Sequence, residues 1–113
     1  CQRVTRVQTP SGELAVGQWK DGRIGTFRGL REGPHTYGAT VYGDRGVAQA
    51  GGFEGYEPLL VEIVKFFKTG KAPISPEETI EIFAFMSAAD ESKAQGGEAI
   101  SIPELIEKAR ETQ

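Results

Sequence analysis

Histidine and cysteine, the residues that most often carry chemistry, each occur once, as His35 and Cys1. A single histidine rules out a His-x-x-x-His metal pair. A Ser-His-Asp triad would have to recruit His35 from the loop beside Gly33-Pro34. A lone cysteine closes no disulfide within the chain and leaves no Cys cluster for zinc. The 15 glycines form neither Gly-x-Gly-x-x-Gly nor Gly-x-x-x-x-Gly-Lys-Ser/Thr, so no known phosphate-cradling loop is present. What remains is arginine chemistry. Arg28, Arg31 and Arg45 fall near strand ends and loops, where forked guanidinium donors bind carboxylates or polyhydroxyl ligands. Arg28, Arg31 and His35 are the candidate substrate contacts, with solvated or ion-paired arginines and an ordinary loop histidine as the plain alternative. Glu77, Glu78 and Glu81 are spaced like paired carboxylates, yet they fall in the first turns of a helix, where capping and the helix dipole account for them. Asp90 falls on the Met86 and Thr79 side of that helix, exposed near its end or, if that face is covered, in need of a buried partner.

These residues are positioned by a glycine-rich first half and a helical second half. From Cys1 to Gly52, β-forming stretches separated by turn signals give the pattern of successive antiparallel strands. Gln2 to Gln8 is the first expected strand. Glu13 to Trp19 and Arg23 to Leu30 flank Lys20-Asp21-Gly22, where Asp-Gly as a two-residue loop implies a type I′ hairpin. That register sets Trp19 against Ile24 and Val16 against Phe27. Thr36 to Tyr42 and Val47 to Ala50 follow. Trp19, Phe27, Tyr37 and Tyr42 are aromatic residues on this sheet, suited to sugar stacking, a subunit interface or core packing. Gly17, Gly25 and Gly38 mark bulges or the close approach of another backbone, a ligand or a subunit.

Pro58 to Thr69 is the first expected helix, with Gly70 as its C-cap and Lys65 and Lys68 at the negative end of its dipole. Ser75-Pro76-Glu77-Glu78 starts the second: the Ser75 hydroxyl accepts an amide of the first turn, and Pro76 occupies the position that needs no donor. This helix runs to about Gln95, with a polar or small stripe (Glu77, Glu81, Ala84, Ala88, Gln95) and an apolar remainder, which implies burial on most sides. Gly96-Gly97 ends it, and a short third helix begins at Ser101-Ile102-Pro103-Glu104.

The chain of 113 residues has the size of one domain, read as a single domain over 1–113. The fold class is α+β: a largely antiparallel sheet with helices packed on one face. The net charge of −3 is spread along the chain, without the basic stripe that nucleic acid requires. No apolar run approaches the roughly 20 residues of a bilayer span. With no leader visible, the cytoplasm is the default compartment. Cys1 at the start fits a lipid-modified cysteine or a cut chain, and the structured continuation Gln2-Arg3-Val4 favours the cut chain.

The run Gly55-Tyr56-Glu57-Pro58-Leu59-Leu60-Val61-Glu62-Ile63-Val64-Lys65-Phe66-Phe67-Lys68-Thr69-Gly70-Lys71-Ala72-Pro73, with Pro76-Glu77-Glu78-Thr79 and Ala88-Ala89-Asp90-Glu91-Ser92, resembles the end of Gfo/Idh/MocA oxidoreductases. The Trp19-Lys20-Asp21-Gly22-Arg23 hairpin and Tyr37 to Gly46 resemble the C-terminal domain of that family. The resemblance implies the substrate-binding and oligomerisation portion of an NAD(P)-dependent oxidoreductase that acts on a sugar-like or cyclitol alcohol. The family's N-terminal Rossmann domain, glycine loop and catalytic Lys and His lie upstream of the matching region and are absent. Lys71-Ala72-Pro73, in the turn between helices, is not the family's lysine motif. The chain is then not catalytically competent alone and holds no cofactor itself, while NAD(P) belongs to the intact enzyme. Homo-oligomerisation through the open sheet face and a small-molecule substrate are the implied partnerships, with no nucleic acid and no membrane. A freestanding, non-enzymatic binding or assembly domain of the same fold is the alternative.

Overall fold

In the computed structural model, residues 1–34, 36–52 and 54–111 are described. In chain order the elements are β1 (Arg3–Thr9), β2 (Gly12–Gln18), β3 (Ile24–Leu30), β4 (Ala39–Gly43), β5 (Gly46–Ala50), α1 (Glu57–Thr69), α2 (Pro76–Ala94), β6 (Ile100–Ser101) and α3 (Ile102–Glu111). They fall into two units, one made of Cys1–Gly33 with Ile74–Gln113 and the other of Pro34–Pro73. The architecture is α+β, with every strand pairing antiparallel.

The larger unit is a four-stranded sheet of order β3-β2-β1-β6, with α2 lying across one face and α3 against α2. Its core is small: Val4 and Ala15 from the sheet, Ala84, Ala88 and Ala89 from α2, and Ile100 and Ile102 from the C-terminal segment. The orientation of α2 reverses the sequence expectation. The small residues Ala84 and Ala88 are the buried side, while Ile80, Ile82, Phe83 and Met86 are 50–67% exposed. Alanines let the helix axis come close to the strands, and this close approach decides which stripe is buried. α2 starts as expected, with Ser75 Oγ accepting the Glu78 amide at 3.1 Å.

The β2–β3 hairpin also departs from expectation. Trp19 N donates to Arg23 O at 2.9 Å and Gly22 N to Trp19 O at 3.0 Å, so the loop has three residues, Lys20-Asp21-Gly22. A type I′ turn would need positive φ at Asp21 as well as at Gly22. Here only Gly22 takes it, at 87°, and no non-glycine residue among those described does. The register moves by one residue, which sends side chains to opposite faces. Ala15 pairs with Phe27 and Gln18 with Ile24. Phe27 therefore shares the α2 side with Ala15, whereas Leu14, Val16, Ile24, Thr26, Arg28 and Leu30 share the other.

Gly17 and Gly25 pair directly in an uninterrupted ladder, so neither marks a bulge. The close neighbours are aromatic: a Cβ built on Gly17 would lie 2.6 Å from Phe85 and 2.9 Å from Trp19, and one on Gly25 3.0 Å from Trp19. The Trp19 ring thus lies over two glycines and stacks on Phe85 with centroids 6.3 Å apart.

The smaller unit holds the β4–β5 hairpin and α1. Gly70, at φ 68°, caps α1 as expected, its amide reaching Phe66 O at 2.8 Å. No residue of α1 is buried, and Tyr37 and Tyr42 are 82% and 80% exposed.

Candidate functional site

Arg28 and Arg31 have different surroundings. Arg28 lies opposite Leu14 on the sheet face away from α2. It borders a shallow hollow of about 280 Å³ with Val7, Leu14 and Leu30, and its guanidinium makes no hydrogen bond or ion pair among the described residues. Arg31 is engaged: Nη2 donates to Glu13 Oε1 at 3.1 Å, Nη1 to Thr9 O at 3.5 Å, and its amide to Ser11 O at 3.1 Å. His35 lies outside the described residues. Arg45 is almost fully exposed beside Asp44.

On the α2 side a charged network crosses from sheet to helix. Arg6 donates to Glu13 and to Asp90, while Arg31 holds the other oxygen of Glu13. Asp90 has its partner in Arg6, with its side chain 76% exposed, as a position near the helix end allows. The Arg6 hydrogen bond holds the Glu13 carboxyl below its ordinary range, partly opposed by desolvation and reinforced by Arg31. This network borders a groove of about 470 Å³ whose apolar wall is Phe27, Phe85 and Met86.

A larger cleft, about 700 Å³, opens beside the first turns of α2 among Trp19, Arg23, Glu77, Glu81 and Phe85. Glu81 does more there than complement the dipole: Oε1 accepts Trp19 Nε1–H at 2.9 Å and also contacts the Cys1 nitrogen. Arg23 lies 6.0 Å from the centre of the Trp19 ring. Sequence reasoning missed the roles of Glu81, Glu13 and Arg6. One signal was present, because a partly buried indole N–H needs an acceptor and Glu81 is a carboxylate one turn into the neighbouring helix. The Arg6 partner of Glu13 comes from the β1–β2 pairing, for which the sequence gives no register, and the Arg31 partner from the β2–β3 register, which the sequence alone misplaces.

Among the described residues no three His, Cys, Asp or Glu side chains converge where a metal ion could sit. No described helix is long and apolar enough to cross a membrane. A dinucleotide cradle is built at the turn from a parallel strand into a helix. The described strands pair only antiparallel, so no such strand-to-helix turn occurs among the described residues. No family model, curated protein or solved structure matches the chain.

Proposed function

We propose that this chain is the C-terminal substrate-binding and oligomerisation portion of an NAD(P)-dependent oxidoreductase of the Gfo/Idh/MocA type, acting on a sugar-like or cyclitol alcohol. Its motifs from Gly55 to Ser92 support the reading, and the single structural observation behind it is the one-sided sheet. Opposite α2, Val7, Leu14, Ile24 and Leu30 are 39–68% exposed on one continuous face. Apolar side chains gathered and exposed on one face of a regular sheet support a docking surface in a larger assembly. The occupant proposed here is a second copy. Arg28, on that same face and with unengaged donors, is the substrate contact of choice, and Arg31 serves by holding Glu13. In this reading the cofactor site and the catalytic lysine and histidine lie upstream of the matching region, with the Rossmann domain that holds NAD(P).

Light scattering of the 113-residue chain at tens of micromolar is expected to give an oligomer that Leu14→Asp weakens. A strict monomer refutes the face-to-face contact. NAD-dependent alcohol oxidation by the purified chain would overturn the division of labour. The second reading is a freestanding, non-enzymatic binding or assembly domain of the same fold, which the same open sheet face would serve. A start codon next to Cys1 in the gene would support it, whereas an in-frame upstream Rossmann segment supports the oxidoreductase.

A further inference from the structure

The two edges of the four-stranded sheet are finished differently. At the β1 edge, Val4 pairs with Ile100 of β6, and the next outward amide, that of Arg6, donates to the buried Ser92 Oγ at 2.9 Å. At the other edge, among the described residues, β3 pairs with β2 alone. The Trp19 N to Arg23 O and Arg31 N to Ser11 O bonds fix the phase of this ladder. Gly25, Phe27 and Gly29 bond inward to β2, so the amides and carbonyls of Ile24, Thr26, Arg28 and Leu30 point outward. An exposed strand edge is normally blunted by charged side chains, lysine above all, by proline or by a bulge. Over its seven residues β3 has neither proline nor bulge and a single charge, Arg28, and Ile24, Phe27 and Leu30 are 68%, 62% and 51% exposed.

The strand Ile-Gly-Thr-Phe-Arg-Gly-Leu also mirrors itself about Phe27. Ile24 reflects onto Leu30, Gly25 onto Gly29 and Thr26 onto Arg28. Two copies related by a two-fold axis at Phe27 would set Ile24 against Leu30 and Thr26 against Arg28, and these are the residues whose polar backbone groups point outward. Phe27 would face its own symmetry mate on the α2 side, and each aliphatic end would face an aliphatic end on the other. Sliding by two residues one way sets Arg28 against Arg28, and sliding the other way leaves Leu30 unpaired. In the centred register the two arginines are only diagonal neighbours, about 7–8 Å apart, which lets their long side chains splay away from one another.

We infer that β3 is a homodimerisation edge, joining two sheets antiparallel about Phe27 into one continuous sheet of eight strands, four from each copy. This contact is independent of the oxidoreductase reading and of face-to-face packing.

Cysteine crosslinking of the full chain in a Cys1→Ser background tests it. Across a non-hydrogen-bonded antiparallel pair the Cα atoms lie about 4.5 Å apart, within disulfide reach. Phe27→Cys is therefore expected to form a covalent dimer under mild oxidation. Ile24→Cys, which faces position 30 of the other copy, is not. Thr26→Pro removes an outward donor without touching the β2 ladder, and is expected to leave the circular dichroism spectrum unchanged while weakening the dimer by at least about tenfold. Leu14→Asp, which disrupts the open face, should leave Phe27→Cys crosslinking intact. Crosslinking by Ile24→Cys but not Phe27→Cys overturns the proposal in favour of face packing. Slow exchange of the Thr26 and Arg28 amides in a monomeric sample overturns it in favour of a strand from the same chain.

Discussion

Replacing Gly17 by alanine tests the packing that organises the α2 side of the sheet. The added methyl would lie 2.6 Å from Phe85 Cε2 and 2.9 Å from Trp19 Cζ3, closer than van der Waals contact allows. Both rings must shift, and they are stacked on one another, so neither moves alone. Overpacking of this kind costs about 1–3 kcal/mol. The lower entropy of the unfolded alanine chain offsets about 0.4–1 kcal/mol, leaving a net loss of about 1 kcal/mol at the middle of these ranges and at most about 2.5 kcal/mol. For a domain of this size the melting temperature falls by roughly 5 °C per kcal/mol. Thermal melts by circular dichroism read the loss, and fluorescence of Trp19, the only tryptophan, reads the ring displacement. A Phe85→Leu background should recover part of the penalty, and Gly25→Ala, at 3.0 Å from Trp19 alone, should cost less. Gly38→Ala, with no atom of the described residues within 4 Å of the added methyl, should be neutral or slightly stabilising. If Gly17→Ala melts at or above the parent temperature, or its penalty is the same with and without Phe85, the stacking account is wrong.

Three further substitutions probe separate parts of the fold. Ser92→Ala leaves the Arg6 amide without its acceptor and should cost about 1–3 kcal/mol in denaturant unfolding; an unchanged midpoint would mean that water replaces the hydroxyl. Ser75→Ala removes the α2 cap, with about 0.5–2 kcal/mol expected from the same measurement, and an unaltered melting curve would place the helix start elsewhere. Glu13 has a depressed carboxyl pKa in the folded state, so its contribution is complete above its ordinary value of 4.5 and is lost as pH falls through the folded value. Melts at falling pH should therefore show the parent losing stability faster than Glu13→Gln below about pH 4.5, and parallel curves would remove Glu13 from the account.

What could be read in the sequence was local. The Ser75 cap, the Gly70 stop, the helix spans and the succession of strands follow from short-range backbone rules, and the α+β class follows from their order. Two expectations failed, one on the backbone of a turn and one on tertiary packing. Asp-Gly suggests a two-residue turn, but keeping Asp21 out of positive φ favours a three-residue loop, which reverses the faces of Val16 and Phe27 relative to one another. Apolar bulk on α2 suggests a buried helix, but the need for close approach selects the alanines. The candidate contacts fared unequally because a residue type gives no information on its partners. Arg28 keeps its donors, and Arg31 is bound to a glutamate 18 positions away.

The pairing of Val4 with Ile100 bears on how the chain acquires its structure. A strand near the start is completed by one near the end, and the long loop between them must close before the core residues on both sides meet. During synthesis, the β1–β2–β3 meander can form early from near neighbours, but Val4 and the alanines of α2 reach their final packing only after Ile100 and Ile102 have left the ribosome. Until then the sheet is exposed on both faces and both edges, and the nascent chain is most open to capture by chaperones or by other copies of itself.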